Sequence, residues 1–322
     1  MGVMVGGHVT PIDHMYFQPT IFNSPPDSYD VVADADGVII SIGREANFSE
    51  NKYNKYRFII YHTCDFYSIY NLLTSLSPEI VKQVGNIEYG SNSNQKNPIY
   101  VKKGDLLGRI GGQTLDLSVN YDNFTLPGFV NPSSYDGEPW KIHTVDPFDY
   151  WGPEVREKLM EKNIRKVPPY GGKIDYDLDG KLVGNWFEEK VKNYDDPSNY
   201  WTTHLSFVYN EINSSFIIIS MANFSNEPKQ FAVKGNSPDP ANISTSSGLI
   251  KYELMDFYYT SNGEMWNHMQ MAPNIGVSSR EPIKGTVLVQ LLENRKIKFE
   301  AFPYKSASEV NSFTSAAKIY AR

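Results

Sequence analysis

The groups in this 322-residue chain able to exchange a proton or ligate a metal are six histidines, one cysteine and a surplus of carboxylates. The histidines are His8, His14, His62, His143, His204 and His268. No pair of them forms an H-E-x-x-H motif, which would set two imidazoles on one helix face. Cys64 stands alone, so an intramolecular disulfide and a Cys-rich zinc module are both excluded. The run Asp175-Tyr-Asp-Leu-Asp-Gly180 alternates acids like part of an EF-hand loop. Its twelfth position is Trp186, where calcium coordination needs a bidentate Glu, so a turn before a strand is expected instead. The same reading holds for the Asp34/Asp36 pair. Carboxylates outnumber cations, with a net charge of −7 and a pI near 5.4. That argues against a nucleic-acid binder or an anionic-membrane binder, whose footprint is basic.

These groups must be positioned by β-structure. Two domains are expected, at roughly 100–200 residues each, and 14% aromatic residues speak against disorder. Over 1–120, strands are predicted at Tyr29–Ala35, Val38–Ile42, Arg57–Tyr61, Phe66–Tyr70 and Thr114–Asn120. Two further short strands flank the Gly104-Asp105 turn. Residues 85–98, rich in Asn and Ser, read as a surface loop. From 121 to 172 prolines interrupt every long pattern, which predicts a packed connector with one short helix at Pro153–Lys162. Beyond it, over 173–322, eight strands are expected, near 182–188, 202–209, 215–222, 229–234, 249–257, 285–292, 295–302 and 315–320. The last full hairpin turns at Glu293-Asn294. This even spacing predicts an antiparallel barrel or sandwich. No run approaches the ~18 apolar residues of a membrane span. The first seven residues are too short and lack the basic flank of a signal peptide, so either the protein is intracellular or a leader is absent from this chain.

The order of several segments in the first 120 residues resembles the lysostaphin-type zinc endopeptidases, the LytM-like or duplicated-hybrid-motif group. They are His8-Val-Thr-Pro-Ile-Asp13-His14, Val32-Ala-Asp-Ala-Asp-Gly-Val-Ile39, Ile59-Ile-Tyr-His62 with Tyr70-Asn-Leu-Leu-Thr-Ser-Leu-Ser77, Val101–Gly111, and Thr114-Leu-Asp-Leu-Ser-Val119. The resemblance implies a peptidase-like β-domain and one zinc ion held by His8, Asp13 and, in place of the family's last histidine, Asp116. A carboxylate oxygen is a competent zinc ligand. The His8–Asp13 separation is one residue longer than the family's. At the positions of the family's two non-ligand histidines stand Leu72 and Thr114. Leucine has no proton to give, and losing general acid/base help costs about 10²–10⁴ in rate. Two readings follow from the resemblance. One is a catalytically degenerate, extracellular or cell-envelope protein that binds a peptide, a glycan or a small apolar ligand without a cofactor. The other is a divergent zinc hydrolase with His62 or His14 as proton carrier.

Val101–Gly111 also resembles the turn of biotinyl and lipoyl carrier domains, but no lysine stands at a hairpin tip, so no prosthetic group is expected. Gly184-Asn-Trp-Phe187 is similar to the first strand of lipocalin-like barrels. That favours a calycin-like barrel, either filled or holding one ligand. Tyr200-Trp201, Tyr258-Tyr259 and Trp266 are candidate sugar-stacking aromatics whose default role is packing. Met265–Met271 reads as a loop over a barrel mouth. The fold expected is thus mainly β: a lysostaphin-type domain followed by a calycin-like barrel.

Overall fold

Runs of β-branched and aromatic residues become strands wherever a pleated, half-buried surface can take them. The computed structural model describes residues 8–45, 53–189, 191 and 202–322, and is mainly β, with 42% strand and 12% helix. In its first part the elements are β1 (Met15–Phe17), β2 (Tyr29–Val32), β3 (Gly37–Arg44), β4 (Tyr56–Tyr61), β5 (Phe66–Leu73), β6 (Ser75–Leu76), α1 (Pro78–Val84), β7 (Ser91–Val101), β8 (Leu106–Ile110) and β9 (Leu115–Tyr121). β10 (Thr144–Val145) and α2 (Pro153–Lys162) follow in the proline-rich stretch. The remainder holds β11 (Gly184–Glu188), β12 (His204–Tyr209), β13 (Ile217–Phe224), β14 (Glu227–Val233), β15 (Leu249–Ser261), β16 (Glu264–Met265), β17 (Ile275–Leu292), β18 (Lys296–Pro303) and β19 (Lys318–Ala321).

One sheet runs β1-β9-β5-β4-β3-β7, with β10 also on β9, and a small sheet runs β2-β8-β6. Ile39, Ile42, Phe58, Ile60, Leu73 and Leu107, each fully buried, fill the core to which both contribute. The strands on either side of Gly104-Asp105 join different sheets, β7 the large one and β8 the small one. The expected surface loop at 85–98 is corrected. From Ser91 the chain pairs with β3 as an edge strand, and main-chain bonding asks nothing of side-chain polarity. α1 is a further addition to the sequence reading. Ser77 caps it by accepting from the Ile80 N–H, with Pro78 in the first turn.

β11 to β15 and β17 to β19 close into an eight-stranded antiparallel barrel, the ring being completed by β14 on β15. Trp186, Phe207, Ile219, Leu254, Val287 and Val289 belong to its core, none more than 0% exposed. Arg322 covers Trp186 at 4.0 Å and donates to the carbonyls of Val183, Leu178 and Lys181. The β17–β18 turn spans Glu293–Arg295, with Asn294 and Arg295 at positive φ, one residue further on than the sequence suggests. β15 and β17 pair as far as Ser261 with Ile275 and so run on as an arm, whose tip carries β16 and Met265. The tip touches the N-terminal segment, since Gln18 donates to the His268 carbonyl at 2.6 Å.

The outer wall of the barrel carries a polar row across four strands, in the register Asn185–Ser206–Ser220–Gln230. Asn185, Ser206 and Ser220 are at most 2% exposed. Three of its four members are bonded: Ser206 donates to Asn185, Asn185 to the Tyr135 hydroxyl, and Gln230 to the His8 carbonyl, while the buried Ser220 hydroxyl has no hydrogen-bond partner among the described residues. The N-terminal segment ties the two cores together, because Ile12 sits in the barrel cluster while Phe17 packs against the sheet core.

Candidate functional site: a buried charge cluster beside a cleft

β9 carries the site. Its alternation Leu115-Asp-Leu-Ser-Val-Asn-Tyr121 sets Leu117 and Val119 on one face and Asp116, Ser118 and Asn120 on the other. Such a pattern normally leaves the polar face in water, yet Asp116, Ser118 and Asn120 are 7%, 4% and 0% exposed. β1 pairs alongside, Tyr16 opposite Asp116, and brings in the preceding residues.

His14 stands at the centre. Its Nδ1 lies 3.1 Å from Asp13 Oδ1, and its Nε2 lies 3.5 Å from Asp116 Oδ2 and 3.3 Å from the Tyr16 hydroxyl. The His8 ring is 6.1 Å away, edge to face. Thr114 donates to Asp116 Oδ1 at 3.1 Å. Lys141 comes from a 3-10 turn over Pro139–His143 and is only 3% exposed. Its ammonium lies 3.3 Å from Asp13 Oδ1 and 3.0 Å from Glu138.

Burial disfavours every charge here, and the neighbours decide which ones survive. Burial would raise Asp13, but Lys141 and His14 outweigh it and hold the carboxyl well below its usual range. His14 is opposed by burial but raised overall by its hydrogen bond to Asp13 and by both carboxylates. Asp116 is pushed up to about 7, by burial first, against the pull of His14 and Thr114. His8 falls to about 4, through burial and then the His14 and Lys141 charges. His204, fully buried on β12, falls to about 3 through burial and Lys141.

The expected ligands His8, Asp13 and Asp116 therefore gather around one imidazole, but as members of an ion-pair network. Among the described residues no group of three or more His, Cys, Asp or Glu side chains is arranged to hold a metal ion. Asp13 Oδ1 is shared by an ammonium and an imidazole, and His14 lies between the two carboxylates. The donor set does not fit zinc. His62 stands elsewhere, bonded to Ser68 and the Asp36 carbonyl at 2.9 Å each. Ser68 and Asn71 point to opposite faces of β5, and Asn71 is the partner of Asp116, so His62 is on the other side of the sheet. Leu72 adopts φ 70, its N–H donating to the Asn71 side chain and its carbonyl accepting from Gln113. The acids of 175–180 diverge to separate partners, Asp175 to Lys173 and Gly128, Asp177 to Asn185 and Val130, and Asp179 to Arg295. Tyr200 and Trp201 lie outside the described residues.

Asp13 and His14 also form part of the wall of a cleft of ≈ 320 Å³, between the N-terminal segment, β9, β10 and residues 171–175. Phe124 and Tyr150, 39% and 49% exposed, are on it, with Val145 and Asp149. A hollow of ≈ 690 Å³ against α2 shares no residue with the charge cluster. Lys141, Glu138, Tyr16 and His204 belong to the cluster although nothing in the sequence singled them out. In the structure the proline-started turn over Pro139–His143 brings Glu138 and Lys141, three apart, to within 3.0 Å of each other. No protein-family model, curated protein or solved structure matches the chain.

Proposed function

We propose that this is a non-catalytic binding protein of the cell envelope or extracellular space, built on a degenerate peptidase-like domain, which takes a peptide or glycan fragment in the cleft beside His14. The observation that carries the reading is the saturation of Asp13 by Lys141 and His14. A hydrolytic zinc centre needs three protein ligands and an open position for water, and these contacts occupy the carboxylate that would serve. Leucine and threonine at positions 72 and 114 point the same way, since Leu72 has no ionisable group and Thr114 is spent on Asp116. The cleft is at the small end of ligand sites and combines an apolar wall with a few polar groups. That favours one sugar or one to two amino-acid side chains. The packed barrel core argues against a small apolar ligand inside the barrel.

Protein purified without chelator tests this by metal content and by titration with cell-wall peptide and glycan fragments. Saturable binding is expected, without stoichiometric zinc and without amide hydrolysis, and weakened about tenfold or more when Val145→Arg fills the cleft. Tight stoichiometric zinc and amide hydrolysis, both lost in His8→Ala, would instead establish the divergent hydrolase.

A further inference from the structure

We propose that the cleft beside His14 selects a cationic side chain, so that its ligand is a peptide carrying lysine or arginine; this rests on the reading of the cleft as a binding site. The wall holds four carboxylates, Asp13, Asp146, Asp149 and Asp175, against two basic groups, His14 and Lys173. Both basic groups are already committed within the protein. The Lys173 ammonium lies 2.7 Å from Asp175, and His14 lies between Asp13 and Asp116. Asp13 is balanced further by Lys141. Asp146 and Asp149 are left over, without an ion-pair partner among the described residues. Asp146 spends one oxygen on the N–H groups of Phe148 and Gly171, at 3.0 and 3.1 Å. The carboxylate of Asp149 is exposed and accepts no hydrogen bond from any described residue.

Two aromatic rings accompany that free carboxylate. Phe124 and Tyr150, both exposed, line the same cleft. Tyr150 packs on Phe66 at 4.7 Å between ring centres, and His143 Nδ1 donates to the Phe124 carbonyl at 2.7 Å, so both residues are held before a ligand arrives. Burial and then the Asp149 charge raise the Tyr150 hydroxyl, which places the carboxylate within electrostatic reach of the ring. Ring faces attract an ammonium or guanidinium, and a carboxylate beside them adds a charge-assisted hydrogen bond. The buried Leu117, Val119 and Val145 supply the apolar part of the wall. They suit the hydrocarbon stem of lysine or arginine, which lies along apolar surface while its head stays at the wet end. An acidic ligand meets a surplus of negative charge and is repelled. A neutral sugar stacks on the same rings but leaves Asp149 without an opposite charge.

The test is titration of the full chain, followed by nuclear magnetic resonance, with three probes. They are an end-blocked Gly-Lys-Gly peptide, the same peptide with norleucine for lysine, and N-acetylglucosamine. The lysine peptide is expected to bind about tenfold more tightly than the norleucine peptide, from one cation–ring contact and one partly exposed ion pair. That gap should narrow as salt is raised. Asp149→Asn is expected to weaken the lysine peptide about threefold or more and to leave the norleucine peptide unchanged. Tyr150→Leu should weaken the lysine peptide by a similar factor, and Tyr150→Phe should retain it. Equal loss of both peptides in Asp149→Asn would mean that the residue only shapes the cleft, and would overturn the selectivity. Norleucine peptide or sugar binding as tightly as the lysine peptide, and lost in Val145→Arg, would overturn the selectivity while the cleft remains a binding site. Saturable binding of none of the three would overturn both.

Discussion

At the residue scale, Lys141 and His204 bear opposite signs of one cause, the low dielectric between the sheet and the barrel. Asp13 and Glu138 touch the ammonium and hold it there. Breaking such a buried pair costs about 3–5 kcal/mol, so Lys141→Ala should lower the stability read from urea unfolding by that amount. Adding Asp13→Asn should recover part of the loss, since the orphaned charge is the main penalty. A fully additive pair of substitutions would contradict the coupling. His204 is the converse, an imidazole held neutral, its value lowered to about 3 by burial and Lys141. The unfolded chain takes up that proton near pH 6.5 and the native protein only near 3. Stability therefore falls as pH drops through this window, by about 1.4 kcal/mol per pH unit for the one group. His204→Gln should flatten the acid limb of urea midpoints measured between pH 7 and 4, and an unchanged limb would exclude His204 as a contributor. His14 acts with the other sign. Its raised value gives stability that is complete below pH 6.5 and lost as pH rises through the folded value.

At the element scale, strands with a strong pattern follow from sequence alone, and elements held by main-chain bonding do not. All eight barrel strands appear near their expected places, because Val, Ile, Phe and Tyr alternate or cluster there. β7 was hidden by its Asn and Ser content, and α1 by its seven-residue length, although Ser77-Pro78 is a start signal. Ser77→Ala should cost about 1 kcal/mol, read by urea unfolding, and no loss would mean the cap bond with Ile80 is replaced by water. The site was legible in part. Asp13, His14 and Asp116 come together because β1 lies beside β9, an adjacency the opening His-Asp-His run suggests. Lys141 was not legible, since its burial depends on the barrel wall and the β9 face closing over a proline-rich stretch with no apolar period of its own. The same closing explains why Asp116, Ser118 and Asn120 look like a solvent face in sequence and are buried in the fold.

At the scale of the whole molecule, residues 8–17 act as a pin through two cores. Ile12 is 5% exposed within the barrel cluster. Truncation of a buried isoleucine costs about 2–5 kcal/mol, and Ile12→Ala should spend it on the seam between the two cores. Hydrogen exchange should then rise first in β1 and in the 139–145 stretch, before the barrel strands. Uniform acceleration over the whole chain would show that the segment is not a local pin. The same seam has a consequence during synthesis. The carbonyl of His8 waits for a side chain 222 positions further along. At about 5–20 residues per second the ribosome takes on the order of 10–45 s to deliver it. Through that interval the nascent first sheet carries a polar face meant for burial and an isoleucine with no seat. Its carboxylates and histidines are meanwhile in water and chargeable at will. The protein thus completes the packing of residues 8–17 only after the much later β14 has been made, and a chaperone that shields the β9 face would act on a surface long in need of a partner.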